Sequence, residues 1–134
     1  MSWTASLIRL SGYEVETLQK RLREIADRRA RVAAALAELA REEEDELARG
    51  RADAEAGWYM IGFRQGCAER RKTLELEARG LELEAQGARD ALTEAFEAQK
   101  KYEQVADRLR LSERAAANRR ESAALDELAL RRRA

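Results

Sequence analysis

The apolar positions of this chain fall into two long runs of heptad spacing with a cluster of glycines between them. In the first run Val15, Leu18, Leu22, Ile25, Arg29, Val32, Leu36 and Leu39 follow one another at alternating intervals of three and four residues. That spacing holds all eight on one stripe of an α-helix, the seam of a coiled coil, with Arg29 its single polar interruption. Glu43 and Glu46, next in the series, are expected to end its apolar part. The second run, Leu74, Ala78, Leu81, Ala85, Ala88, Leu92, Ala95, Gln99, Tyr102, Ala106 and Leu109, keeps the same alternation. Its alanines make a narrow seam, which lets two helix axes approach closely. Between the runs lie Gly50, Gly57, Gly62 and Gly66, four of the seven glycines in the chain.

These patterns predict an all-α fold of two long helices, over residues 7–49 and 67–130, with residues 50–66 as a turn and apolar tip. At about 1.5 Å per residue the helices would measure roughly 65 and 95 Å. Neither can bury its stripe alone. Folding back on each other as an antiparallel coiled-coil hairpin, one domain over residues 1–134, covers both seams. A parallel dimer, each helix against its own copy, is the competing arrangement, and the glycine cluster between two seams of comparable register favours the hairpin. The longer second helix is expected to project past the first at its C-terminal end. Composition agrees: Ala, Arg, Glu, Leu and Lys fill 90 of 134 positions, above the share of roughly half that marks coiled coils. Without any Pro, nothing forces a helix to break.

The same composition removes most chemistry. The chain has no His, and so lacks the side chain that most often moves protons near neutral pH and the commonest imidazole metal ligand. Cys67 is the only cysteine. One thiol can build neither an internal disulfide nor a Cys-rich zinc site, and it reads as a small, half-buried apolar residue at a helix start. Gly57, Gly62 and Gly66 lack the Lys followed by Ser or Thr that a phosphate-binding loop requires. Carboxylates are abundant but belong to solvated helix faces, as in Arg41 to Glu46, without an apolar pocket to raise a pKa. The chain is expected to be non-enzymatic, with no cofactor and no metal. The stretch from Met1 to Gly12 lacks the apolar run of about 7–15 residues that a signal peptide carries. No apolar run reaches the roughly 18 residues of a membrane span, so a cytoplasmic protein is expected, at most peripheral to a membrane.

Two segments remain as candidate binding surfaces. Trp58, Tyr59 and Phe63, three of the seven aromatic residues, crowd into one short window with Met60 and Ile61. The window shows neither heptad spacing nor strand alternation. It reads either as a cap closing the open end of the hairpin or as an exposed apolar hot spot for a partner. The second segment emerges from charge. The 26 basic and 26 acidic residues cancel, yet residues 9–31 and 108–133 together carry a net +7 and residues 32–107 a net −7. In the hairpin the first two regions lie together, giving one basic end, rich in Arg119, Arg120, Arg131, Arg132 and Arg133. Cations in a last helical turn are favoured by about 0.3–1 kcal/mol each, which accounts for individual residues but not for the segregation of sign. No aromatic stacking pattern is interleaved with these arginines, so nucleic acid is not the expected partner. A generic coiled-coil adaptor or a basic-ended nucleic-acid-binding hairpin stands as the alternative reading.

The segment AFEAQKKYEQVADR, followed by ESAALDELALRR, resembles the flagellar export proteins of the FliJ family. The matching positions are Ala95, Lys100, Lys101, Glu103 and Arg108, then Asp126, Glu127, Ala129 and Arg131. An aromatic stretch similar to Trp58–Phe63 also follows the interhelix turn in that family. The resemblance implies a helical hairpin akin to the rotor stalk of rotary ATPases, within the type III export machinery that serves flagellum assembly and motility. It further implies action with the hexameric export ATPase, contact with the cytosolic domain of the export gate, handling of export chaperones, and a place at the cytoplasmic face of the inner membrane at the flagellar base. On that basis the ATPase ring is the expected partner of the Arg119, Arg120 and Arg131–Arg133 end. The gate or a chaperone is the expected partner of Trp58, Tyr59, Met60, Ile61 and Phe63.

Overall fold

The computed structural model describes residues 2–52 and 57–133, and every one of them except Ser2 is helical. Helix α1 runs Trp3–Ala52 and helix α2 runs Gly57–Arg133. Ser2 caps α1: its Oγ accepts a hydrogen bond from the Ala5 backbone N–H at 3.3 Å, satisfying one of the donors that a helix start leaves without a partner.

The helices outrun the expected boundaries. Residues 50–66 were expected as a turn, yet α1 continues through Gly50 to Ala52 and α2 has already begun at Gly57; residues 53–56 lie outside the described residues. No glycine adopts a positive φ, so each serves as an ordinary helical residue. One glycine costs a helix only about 1 kcal/mol relative to alanine. With no proline to remove a hydrogen bond, packing and the flanking Ala, Arg, Glu and Leu residues outweigh that penalty.

The chain forms two compact units, Thr17–Leu92 and Met1–Glu16 with Thr93–Ala134, each containing part of both helices. In Thr17–Leu92 the core is Ile25 and Val32 of α1 against Leu81, Ala85 and Ala88 of α2, with Leu22, Leu36, Leu74 and Ala78 packed around it. Leu39 and Cys67 are buried as well. Branched residues on one helix meet mainly alanine on the other, so large side chains fill the space that small ones leave. Among the described residues, ion pairs that cross between the helices include Arg28–Glu84 at 3.2 Å, Arg29–Glu82 at 2.7 Å, Arg70–Glu42 at 3.7 Å, and Arg71–Glu43. From the pairs of Arg28 and Arg29 to those of Glu42 and Glu43, numbers rise along α1 while they fall along α2 from Glu84 and Glu82 to Arg70 and Arg71, the signature of an antiparallel pair.

The seam of α1 also extends further than its apolar residues. Glu43, Glu46 and Gly50 are half-buried at the continuing heptad positions, so the carboxylates do not end the packing face. The Glu43 carboxylate accepts from the Arg71 guanidinium of α2, which satisfies a charge that would otherwise be costly to shield from water. At Gly50 the helices come so close that an added Cβ would stand 3.1 Å from both Cγ and Sδ of Met60.

In the unit of Met1–Glu16 with Thr93–Ala134, Thr4, Ser11, Val15 and Ala95 are buried. Ser11 Oγ donates to the Leu7 carbonyl at 2.9 Å, so its hydroxyl tolerates burial. Half-buried Gln99, Tyr102 and Ala106 continue the α2 seam. Trp3, Ile8, Ala106, Leu109 and Arg110 line a groove of about 380 Å³. Ala116 is the last half-buried residue of α2; from Ala117 to Arg133 every residue is exposed.

Candidate partner-binding surfaces

Helix α2 divides the five candidate residues at its start between two directions. Met60 and Phe63 are half-buried and, with buried Cys67, extend the α2 seam toward its N-terminus at intervals of three and four. Trp58, Tyr59 and Ile61 face solvent, with Trp58 82 % exposed. The rings of Tyr59 and Phe63, one helical turn apart, stack with centroids 6.3 Å apart at an interplanar angle of 20°. The window therefore does have helical spacing. Its inward half closes the packing around Gly50, and its outward half leaves an indole, a phenol and an isoleucine side chain in water.

A second exposed stripe lies on the opposite face of α2 from its core residues. Leu76 and Leu83 are 56 % and 75 % exposed, and an added Cβ at Gly80 or Gly87 would meet nothing within 4 Å. The order Leu76, Gly80, Leu83, Gly87 repeats intervals of four, three and four, displaced by two residues from the core seam. Two residues correspond to about 200° around a helix. This displaced repeat was present in the sequence as a signal, masked by the stronger seam beside it.

At the far end of α2, Arg119, Arg120, Arg131, Arg132 and Arg133 are all exposed. Arg131 donates to Glu127 at 3.2 Å, one turn back; Arg119 and Arg120 make no ion pair among the described residues. Leu125, Leu128 and Leu130 share this segment and are each more than half exposed. These leucines leave no trace in the charge pattern. An arginine-rich helix carrying uncovered leucines is equipped for both ionic and apolar contact.

The remaining motif residues do not converge on one site. Lys100, Lys101, Glu103, Arg108, Asp126, Glu127 and Ala129 are exposed along α2, while Ala95 is buried. Lys100 and Glu103 line a groove of about 470 Å³ together with Thr93 and Phe96. Cys67 carries a free thiol packed in the helix interface. Among the described residues no group of three or more acidic, Cys or His side chains is placed to hold a metal ion. No described helix is long and apolar enough to cross a membrane.

Comparison with known proteins adds two curated relatives, each named "Flagellar FliJ protein", from Caulobacter vibrioides strains NA1000 / CB15N and CB 15. Each is 47 % identical to this chain over 130 residues, covering 97 % of the chain and 94 % of the relative. No family model matches the chain, and no solved structure matches it.

Proposed function

Because the chain belongs to the FliJ family of flagellar proteins, we propose that it is a non-enzymatic component of the flagellar type III protein export apparatus. The observation that carries this reading is the 47 % identity maintained over 97 % of the chain, since a shared heptad pattern in one helix alone would align a shorter stretch. Within that role, the arginines at the end of α2 enter the central pore of the hexameric export ATPase and stimulate ATP hydrolysis. The exposed apolar residues at the start of α2 bind the cytosolic domain of the export gate, and export chaperones are handled on the same protein. Its working place is the cytoplasmic face of the inner membrane at the flagellar base.

Exposure supports this assignment of contacts. Arg119 and Arg120 are solvent-facing and available to acidic pore residues, and Trp58 presents nearly its whole indole. The Leu76–Gly87 stripe favours a second location for the gate contact, on the flank of α2, because a smooth apolar face interrupted by glycines lets another backbone approach closely.

The export role is tested by deleting the gene in the bacterium that encodes this chain and measuring flagellar structural proteins in the medium. Loss of those proteins outside the cell, with their synthesis intact and secretion restored by the wild-type gene, is the expected result. Undiminished secretion overturns the proposal.

A further inference from the structure

The heptad series of α2 does not stop where its packing stops. Beyond Leu109 the alternation of four and three continues through Glu113, Ala116, Arg120, Ala123, Glu127 and Leu130. From Ala117 onward every residue of this stripe is exposed, Leu130 to 68 %. The segment thus keeps a coiled-coil seam for which this chain provides no covering helix among the described residues.

The order of residues in that seam is self-complementary when reversed. Set antiparallel to a second copy about Ala123, the layers become Ala116 against Leu130, Arg120 against Glu127, and Ala123 against Ala123, then the same pairs again by two-fold symmetry. Small faces large, basic faces acidic, and small faces small at the axis. On the flank, Arg119 comes opposite Asp126. A parallel pairing would instead stack Arg120 on Arg120 and Glu127 on Glu127, and like charges at seam positions are destabilising. The hairpin uses the same solutions within one chain, with alanines of α2 under the branched residues of α1 and Arg29 of the α1 seam paired with Glu82.

We infer that two copies of this chain pair antiparallel through the seam of α2 that runs from half-buried Ala116 to exposed Leu130, with Arg120 and Arg119 of each copy held by Glu127 and Asp126 of the other. The interface is isologous, as a two-fold dimer requires. Arg119, Arg120 and Asp126 make no ion pair within the chain among the described residues, so each is free to take a partner from the second copy. Glu127 gives up only an exposed contact to Arg131 one turn away, of a kind that contributes little. Because the seam is rich in alanine and short, the association is weak and sensitive to salt. The inference stands independently of the export role. Where an ATPase ring takes up the same arginines, ring binding and self-pairing exclude each other.

The test is sedimentation equilibrium of the full chain up to about 1 mM, at low and high salt, with circular dichroism to verify helicity. Wild type is expected to show a monomer–dimer equilibrium that weakens with salt. The pair Arg119→Glu with Arg120→Glu, and separately Asp126→Arg with Glu127→Arg, should each weaken dimerisation at least tenfold. Combining all four exchanges should restore it, because every antiparallel pair again joins opposite charges. All four residues are solvent-exposed, so helicity should be unchanged. A wild type that stays monomeric throughout, doubles that associate like wild type, or a fourfold exchange that remains as weak as the doubles overturns the inference.

Discussion

Arg29 and Glu82 meet across the helix pair with Nη2 2.7 Å from Oε2, so the one polar residue in the first apolar run is answered by a carboxylate on the facing helix. Arg71 and Glu43 make the reciprocal pair farther along, basic on α2 and acidic on α1. A slide of one helix by a heptad would separate both pairs. The charges therefore help distinguish the observed register from its neighbours.

Reversing one member of such a pair should cost stability, and reversing both should return it. Arg29→Glu and Glu82→Arg are each expected to lower unfolding free energy by about 1 kcal/mol, the upper part of the range for solvent-accessible pairs. The double exchange should recover most of the loss. Urea titrations followed by circular dichroism provide the cycle, and additive losses in the double variant would show that the two side chains do not interact.

Burial sorts the leucines sharply. Leu39 is 1 % and Leu81 2 % exposed, and truncating either to alanine should cost about 2–5 kcal/mol. Leu128→Ala should change stability by less than about 0.5 kcal/mol in the monomer, because that side chain is 55 % exposed already. Thermal melts of the three variants at low protein concentration separate the classes.

The glycines make an opposite prediction. An added methyl at Gly80 or Gly87 meets nothing within 4 Å, so Gly80→Ala and Gly87→Ala should each raise stability by up to about 1 kcal/mol through helix propensity. Gly50→Ala should gain less, because its Cβ must displace the Met60 side chain from 3.1 Å. Adding Met60→Ala to Gly50→Ala removes that conflict but also a half-buried side chain, and the cycle of melting temperatures measures the coupling between the two positions.

Much of the helix pair was legible in the sequence. The intervals of three and four named Ile25, Val32, Leu81, Ala85 and Ala88 as facing residues, and these are the core. What the apolar pattern concealed was the continuation of the seams through polar or small residues: Glu43, Glu46 and Gly50 on α1. A carboxylate at a seam position looks like an ending until its partner, here Arg71, is known to stand across from it. The glycine cluster misled for a related reason, since glycine permits a turn without requiring one. The helical periodicity of the Trp58–Phe63 window is hidden in the sequence, because adjacent apolar residues on two sides of a helix blur the spacing that Met60, Phe63 and Cys67 obey.

For the proposed gate contact, Trp58→Ser offers a cleaner variant than Phe63→Ser, whose ring is half-buried and stacked on Tyr59. Trp58→Ser should leave helicity and melting temperature near wild type while weakening binding to the gate's cytosolic domain at least tenfold. Leu83→Ser tests the flank in the same calorimetric titration. Gate affinity that survives both substitutions would place the contact elsewhere on the protein.

The central claim is that the arginine-rich end of α2 works on the export ATPase, and the most direct measurement is the stimulation of ATP hydrolysis by the full chain at low and high salt. Wild type should stimulate strongly at low ionic strength and less as salt screens the exposed charges. A variant with Arg119, Arg120, Arg131, Arg132 and Arg133 all changed to Glu should fail to stimulate while remaining fully helical. Equal stimulation by wild type and the charge-reversed chain would contradict the account.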